Sequence, residues 1–215
     1  MTSGEPAFLA DTRAAYDATA NDYATTVPAQ LDDMPVSRAI FAAFAELVRA
    51  NGTGPVAVVG CGPGHITELL HRHGLDIHGT DLSPAMIAAA RRRYPHLRFE
   101  TGSMLRIDRP DAALAGLVAH YSIIHIPWEN RDALFAEFRR VLRPGGQLLL
   151  GFQIGAERRQ RDESFGKPVR LVSFRQTPQQ VTELLHRNGF TVHTTVGFEP
   201  DGAGPPGALI MAGAS

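Results

Sequence analysis

The sequence predicts an α/β fold, a mostly parallel sheet layered between helices, on three observations. Strand-length apolar runs alternate with helical stretches, a glycine-rich turn follows the first run, and the last two strand-like segments lie too close together for a helical crossover. A chain of 215 residues that is 44% hydrophobic and 20% charged can bury one core, so 1–215 is read as one domain.

Residues 8–27 carry Phe8, Leu9, Ala14, Ala15, Tyr16 and Tyr23 among polar positions and predict one or two short helices, read with the rest of 1–36 as a lid. Pro35 to Ala50 spaces Ile40, Phe41, Phe44, Leu47 and Val48 as an amphipathic helix does, with Pro35 in its first turn. Val56 to Val59 is a β-branched run of the kind buried on both faces, and it leads through glycines to a helix at Ile66 to Arg72. The alternation repeats in Asp76 to Thr80 with Pro84 to Arg93, in Leu97 to Thr101, and in Ala113 to His120 with Arg131 to Leu142. A turn at Arg143-Pro144-Gly145-Gly146 precedes a fifth strand, Gln147 to Phe152. Beyond it lie a polar stretch from Gln153 to Lys167, an alternating segment Val169 to Phe174, and a helix from Pro178 to Asn188; 153–175 is read as an insert over the site. Phe190 to Phe198 and Ala208 to Ala212 end the chain as an antiparallel pair.

With 21 Lys and Arg against 22 Asp and Glu, the net charge is −1. That offers no global field for nucleic acid or an anionic membrane and leaves a small molecule as the expected partner. The clusters Arg91-Arg92-Arg93 and Arg158-Arg159-Gln160-Arg161 read as solvated faces or ends of helices. The single cysteine, Cys61, cannot form an internal disulfide, no apolar run nears the roughly 20 residues of a membrane helix, and no charged-then-apolar leader is seen; a cytoplasmic protein, monomer or homodimer, is expected. No Cys and His spacing suits zinc and no carboxylate cluster suits magnesium, so no metal is expected.

The strongest local signal is the strand Val56 to Val59 running into Gly60-Cys61-Gly62-Pro63-Gly64 at the start of a helix. Glycines let backbone approach a ligand where a Cβ would block it, and a helix N-terminus favours negative charge. Asp81 closes the second strand, where a carboxylate can accept hydrogen bonds from both hydroxyls of a ribose, while Ser83 can cap the following helix. NAD, FAD and S-adenosylmethionine sites all use such a turn.

Four motifs in order resemble the class I S-adenosylmethionine-dependent methyltransferase family. Gly60-Cys61-Gly62-Pro63-Gly64 is similar to its first motif, Asp81-Leu82-Ser83-Pro84-Ala85-Met86 to the segment after its second strand, Gly102-Ser103-Met104 to its adenine-edge loop, and Val141 to Gly146 to its turn into the fifth strand. The resemblance implies a three-layer αβα Rossmann-like sandwich with a seven-stranded sheet in the order 3-2-1-4-5-7-6, strand 7 antiparallel, and an N-terminal helical lid. It implies S-adenosylmethionine as cofactor and S-adenosylhomocysteine as product. Tyr16 and Tyr23 are similar to the family's lid, where a phenol hydroxyl could hold the methionine carboxylate. Val58 stands where the family often has an acidic residue, so carbonyls near Gly60 and Ala119 are candidates for the amino group. Ser103 replaces a frequent Asp. Leu82, Met86 and Met104 could sandwich the adenine.

The fourth strand ends in Ala119-His120-Tyr121-Ser122-Ile123-Ile124-His125-Ile126-Pro127-Trp128, at the sheet end where open α/β folds bind ligands. Methyl transfer needs alignment above all, and a hydroxyl or amine acceptor also needs a base. His125 is the first candidate base and His120 the second; each could instead be a packing histidine. Tyr121 is the candidate that orients the acceptor, and Trp128, Gln153 and Arg175 could line its pocket, although a surface ion pair suits Arg175 better. The reading is methylation of a small molecule, at oxygen or nitrogen rather than carbon. Two alternatives share the glycine turn: a nonenzymatic module that binds S-adenosylmethionine or S-adenosylhomocysteine, and a nicotinamide-dependent oxidoreductase.

Overall fold

The computed structural model describes residues 6–30, 34–199 and 205–215. Two helices, α1 (Ala7–Gln30) and α2 (Pro35–Ala50), precede β1 (Val56–Val59), α3 (His65–Arg72), β2 (Ile77–Asp81), α4 (Pro84–Arg93), β3 (Arg98–Thr101) and β4 (Leu114–His120). Two short 3-10 turns, Ile123–His125 and Trp128–Asn130, lead into α5 (Arg131–Val141) and β5 (Leu142–Gln153). Then follow β6 (Arg158–Ser164), β7 (Lys167–Phe174), α6 (Pro178–Arg187), β8 (Phe190–Phe198) and β9 (Gly207–Ala214).

Seven strands form one sheet in the order β3-β2-β1-β4-β5-β9-β8. Strands β1 to β5 pair in parallel, and β9 runs antiparallel to both β5 and β8. With β6 and β7 set aside, this is the order the resemblance implies. The centre of the sheet is apolar on both faces: β1 is buried throughout and β4 up to its last residue. On one side Leu117, Phe135, Phe138 and Leu185 pack under α5 and α6, and on the other Phe41, Phe44, Ile66 and Val118 pack under α2 and α3. No helix among the described residues is long and apolar enough to cross a membrane.

Three expectations are corrected. The lid is one continuous helix of 24 residues rather than one or two short ones, because no glycine or proline interrupts the alanine-rich run from Ala7 to Val27. The polar stretch after Gln153 is not irregular: β6 and β7 pair as a two-stranded ribbon. Its two-residue turn, Phe165-Gly166, has both φ angles positive (51° and 70°), the geometry that suits a tight hairpin. Since β6 is exposed almost throughout, it lacks the in-and-out hydrophobic pattern that marks a half-buried strand. The cluster from Arg158 to Arg161 therefore lies on an exposed strand, not on a helix.

Helix α1 lies across the sheet's carboxyl end and is tied down by polar contacts. The Asp17 carboxylate accepts hydrogen bonds from the Ser83 hydroxyl (2.5 Å) and the Ala85 amide (3.1 Å) at the start of α4. Arg93 donates to the Ala24 carbonyl, and Lys167 of the ribbon donates to Asp22 and to the Ala18 carbonyl. A carboxylate at a helix N-terminus satisfies open amides and the helix dipole together. Replacing Asp17 with Ala should weaken the docking of α1 by about 0.5–2 kcal/mol. The measurement is amide exchange: faster across α1, unchanged in β1 and β4.

Candidate active site

A cavity opens at the carboxyl ends of β1, β2 and β4 beneath α1. Gly60, Gly62 and Asp81 form its floor; Leu82, Met86, Gly102, Ser103 and Met104 line the β2 and β3 side; His120, Tyr121 and His125 line the β4 side; Tyr16 and Tyr23 descend from α1.

The glycines serve different ends. A Cβ on Gly60 would fall 2.3 Å from the Ser122 Cβ, and one on Gly64 2.7 Å from the Phe99 ring. These two permit close packing. Gly62 has φ 53° with the Tyr23 ring 3.8 Å from where a Cβ would stand, so the backbone conformation rather than close packing calls for glycine there. Its amide donates to Asp81 Oδ2 (2.8 Å), and the Ser83 amide donates to Oδ1 (2.9 Å). Each carboxylate oxygen still has a lone pair to offer a ligand hydroxyl. Ser83 itself caps α4, accepting from the Met86 amide (3.1 Å).

His125 is held at both ring nitrogens. Nδ1 lies 2.7 Å from the Val172 carbonyl and Nε2 lies 2.7 Å from the Tyr16 hydroxyl. A carbonyl only accepts, so Nδ1 carries the hydrogen and Nε2 accepts from the phenol. The Tyr16 hydroxyl is thereby committed to His125, and the ring rather than the hydroxyl's proton is what it offers the rest of the cavity. Tyr121 adopts a left-handed φ of 52°, an outlier for a bulky residue of the kind found at ligand sites.

Six sequence candidates do not line the cavity. Cys61 is 3% exposed and sits in the apolar core, Gly64 backs onto Phe99, and Ala119 is wholly buried. Trp128 is 46% exposed and donates its indole N–H to the Arg175 carbonyl, Arg175 pairs with Glu157, and Gln153 ends β5 opposite Gly207. Four lining residues were not foreseen: Leu9, Thr12, Ser122 and Ile126. The signal for two of them was present, since 9, 12, 16 and 23 fall on one face of a single unbroken helix.

Residues 56–146 match the family model described as a methyltransferase domain. Over this stretch, less than half of the chain, the likeness is to a methyltransferase domain. A probable S-adenosylmethionine-dependent methyltransferase of Mycolicibacterium smegmatis is 30% identical over 145 residues, 66% of this chain and 54% of that protein. Trans-aconitate 2-methyltransferase of Escherichia coli is 39% identical over 95 residues, 43% of this chain and 36% of the enzyme. The chain thus spans about half or less of the length of these relatives. Among solved structures, magnesium protoporphyrin IX methyltransferase from Synechocystis PCC 6803, with bound SAM, matches over 100% of both chains with a TM-score of 0.73 and 16% identity, a likeness of fold.

Burial sets the electrostatics of the cavity. It holds the His125 imidazole down at about 4, against a smaller upward pull from the Val172 carbonyl, and His120 at about 3. Burial also raises the Asp81 carboxyl above its ordinary value, while the amides of Ser83 and Gly62 pull the other way. The phenols of Tyr23 and Tyr121 are pushed up to about 12 and that of Tyr16 well above its ordinary value, all by burial first. Near neutral pH the histidines are therefore neutral and the phenols protonated.

His65, His120 and His125 are depressed to about 4, 3 and 4 in the fold and return to about 6.5 when unfolded. The unfolded chain then binds more protons between those values. Stability is full above about pH 6.5 and falls as pH drops towards 4, by up to about 1.4 kcal/mol per pH unit for each histidine. Urea midpoints measured between about pH 7 and about pH 4.5 should decline steadily.

Proposed function

We propose that the chain is an S-adenosylmethionine-dependent methyltransferase that methylates a small molecule at oxygen or nitrogen. The observation that carries the reading is Asp81, fixed by the Gly62 and Ser83 amides on the floor of the cavity. These residues fit the cofactor: Asp81 takes the ribose hydroxyls, Leu82, Met86 and Met104 flank the adenine, and Ser103 meets its edge. When bound, S-adenosylmethionine supplies a methyl group on a sulfonium.

The chain's own residues bind, orient and accept a proton. The rings of Tyr16 and Tyr23 shield the reacting end from water, and Tyr121 and Ile126 bound the acceptor. An acceptor hydroxyl or amine beside Tyr16 gives its proton to the phenol oxygen while the phenol's proton moves to His125 Nε2. The Val172 carbonyl steadies the imidazolium that results, because Nδ1–H already points at it. A carboxylate acceptor, of the kind named for the Escherichia coli relative, needs no base.

Two experiments test this. Titration calorimetry should detect binding of S-adenosylmethionine, and Asp81→Ala should weaken it at least tenfold, about 1.4 kcal/mol or more; equal affinity in the variant overturns the reading. With a hydroxyl or amine acceptor, Tyr16→Phe and His125→Gln should each lower kcat by about 10²- to 10⁴-fold. Because His125 is held at about 4, activity should persist at pH 6 and its acid limb fall near pH 4 to 5.

A further inference from the structure

We propose that Arg131 is a positioning residue that fixes the tautomer of His125. Arg131 opens α5 and is 1% exposed, although arginine is almost never buried unless paired with an anion. No carboxylate lies within ion-pair distance of it among the described residues. Instead its guanidinium joins two main-chain carbonyls: Nε donates to Ile126 (3.1 Å) and Nη2 to Phe174 (2.7 Å).

Those two carbonyls belong to the same two segments that His125 joins. Ile126 follows His125 directly, and Phe174 lies two residues beyond Val172 on β7, whose carbonyl takes the His125 Nδ1–H. Alternate carbonyls of a strand point to the same edge. The loop after β4 and the inner edge of β7 are therefore laced by two adjacent ties, one from His125 and one from Arg131. A third runs from the Trp128 indole to the Arg175 carbonyl (3.1 Å).

A buried guanidinium facing only neutral carbonyls is costly, and an apolar side chain would pack there at less expense. What an apolar side chain lacks is a rigid fork of donors able to span two carbonyls on separate segments at fixed spacing; lysine, a point donor, lacks it too. That spacing decides whether Val172 O sits where Nδ1–H can reach it. If it drifts, the imidazole can carry its hydrogen on Nε2 instead, where it would donate to Tyr16 and no longer accept.

This inference rests on the role of His125 proposed above, and one measurement separates the two. In the full chain with 15N-labelled histidine, ring-nitrogen NMR shifts report the tautomer, and His125→Gln identifies the His125 signals. In the wild type His125 should be Nδ1–H with Nε2 unprotonated; finding Nε2–H there overturns the role of His125 itself. Arg131→Met and Arg131→Lys should each convert His125 to a mixture of tautomers. Their affinity for S-adenosylmethionine should stay within about twofold of wild type, since Arg131 is not among the residues that line the cavity. A folded Arg131→Met or Arg131→Lys protein whose His125 remains wholly Nδ1–H overturns the role of Arg131. Should Arg131→Met fail to fold, Arg131→Gln, whose amide can reach one carbonyl, carries the same comparison.

Discussion

The parallel pairing of β1 with β4 is the constraint on which the remaining architecture depends. Val56, Ala57 and Val58 lie alongside Gly116, Leu117 and Val118, and the chain leaves the two strands towards opposite sides of the sheet. The gap between their carboxyl ends is the cavity. Ser122 fastens that gap, donating its hydroxyl to the Val59 carbonyl (2.9 Å) while its Cβ occupies the place a side chain on Gly60 would need. The first glycine of the turn is thus demanded by the fold, and the demand positions Gly62 and Asp81 as a consequence.

Floor and cover are held by different forces. The floor rests on fully buried apolar strands and the helices beneath them, whose close packing resists displacement. The two halves of the cover, α1 and the β6–β7 ribbon, are joined to each other through exposed ion pairs, Lys167 to Asp22 and Arg170 to Asp11. Pairs of that exposure contribute little each. Parting the two halves of the cover therefore costs little in ion pairing, while lifting either from the floor breaks hydrogen bonds such as Tyr16 to His125 and Arg131 to Phe174.

The fold was legible because its core strands are continuous apolar runs and its turns are marked by glycine and proline. The floor was legible too: a glycine turn and an acid at the end of the next strand are local features that need no knowledge of distant contacts. What escaped was whatever depends on long-range contact. Leu9 and Thr12 carry no chemistry of their own and become lining residues only because α1 is one straight helix. Ser122 reads as an ordinary hydroxyl until the approach of Gly60 gives it a place. Trp128 and Arg175 looked like pocket residues by composition, yet they spend their polar groups on each other and on Glu157. The β6 strand escaped because its pairing is made by backbone alone, with no burial to impose a pattern on its side chains.

The manner in which the ribbon is docked has an evolutionary consequence. His125, Arg131 and Trp128 grip it through the carbonyls of Val172, Phe174 and Arg175, groups that every amino acid possesses. Mutations along the ribbon can alter its side chains without loosening that grip. Such a socket lets the ribbon's sequence diverge while the framework beneath it is inherited intact.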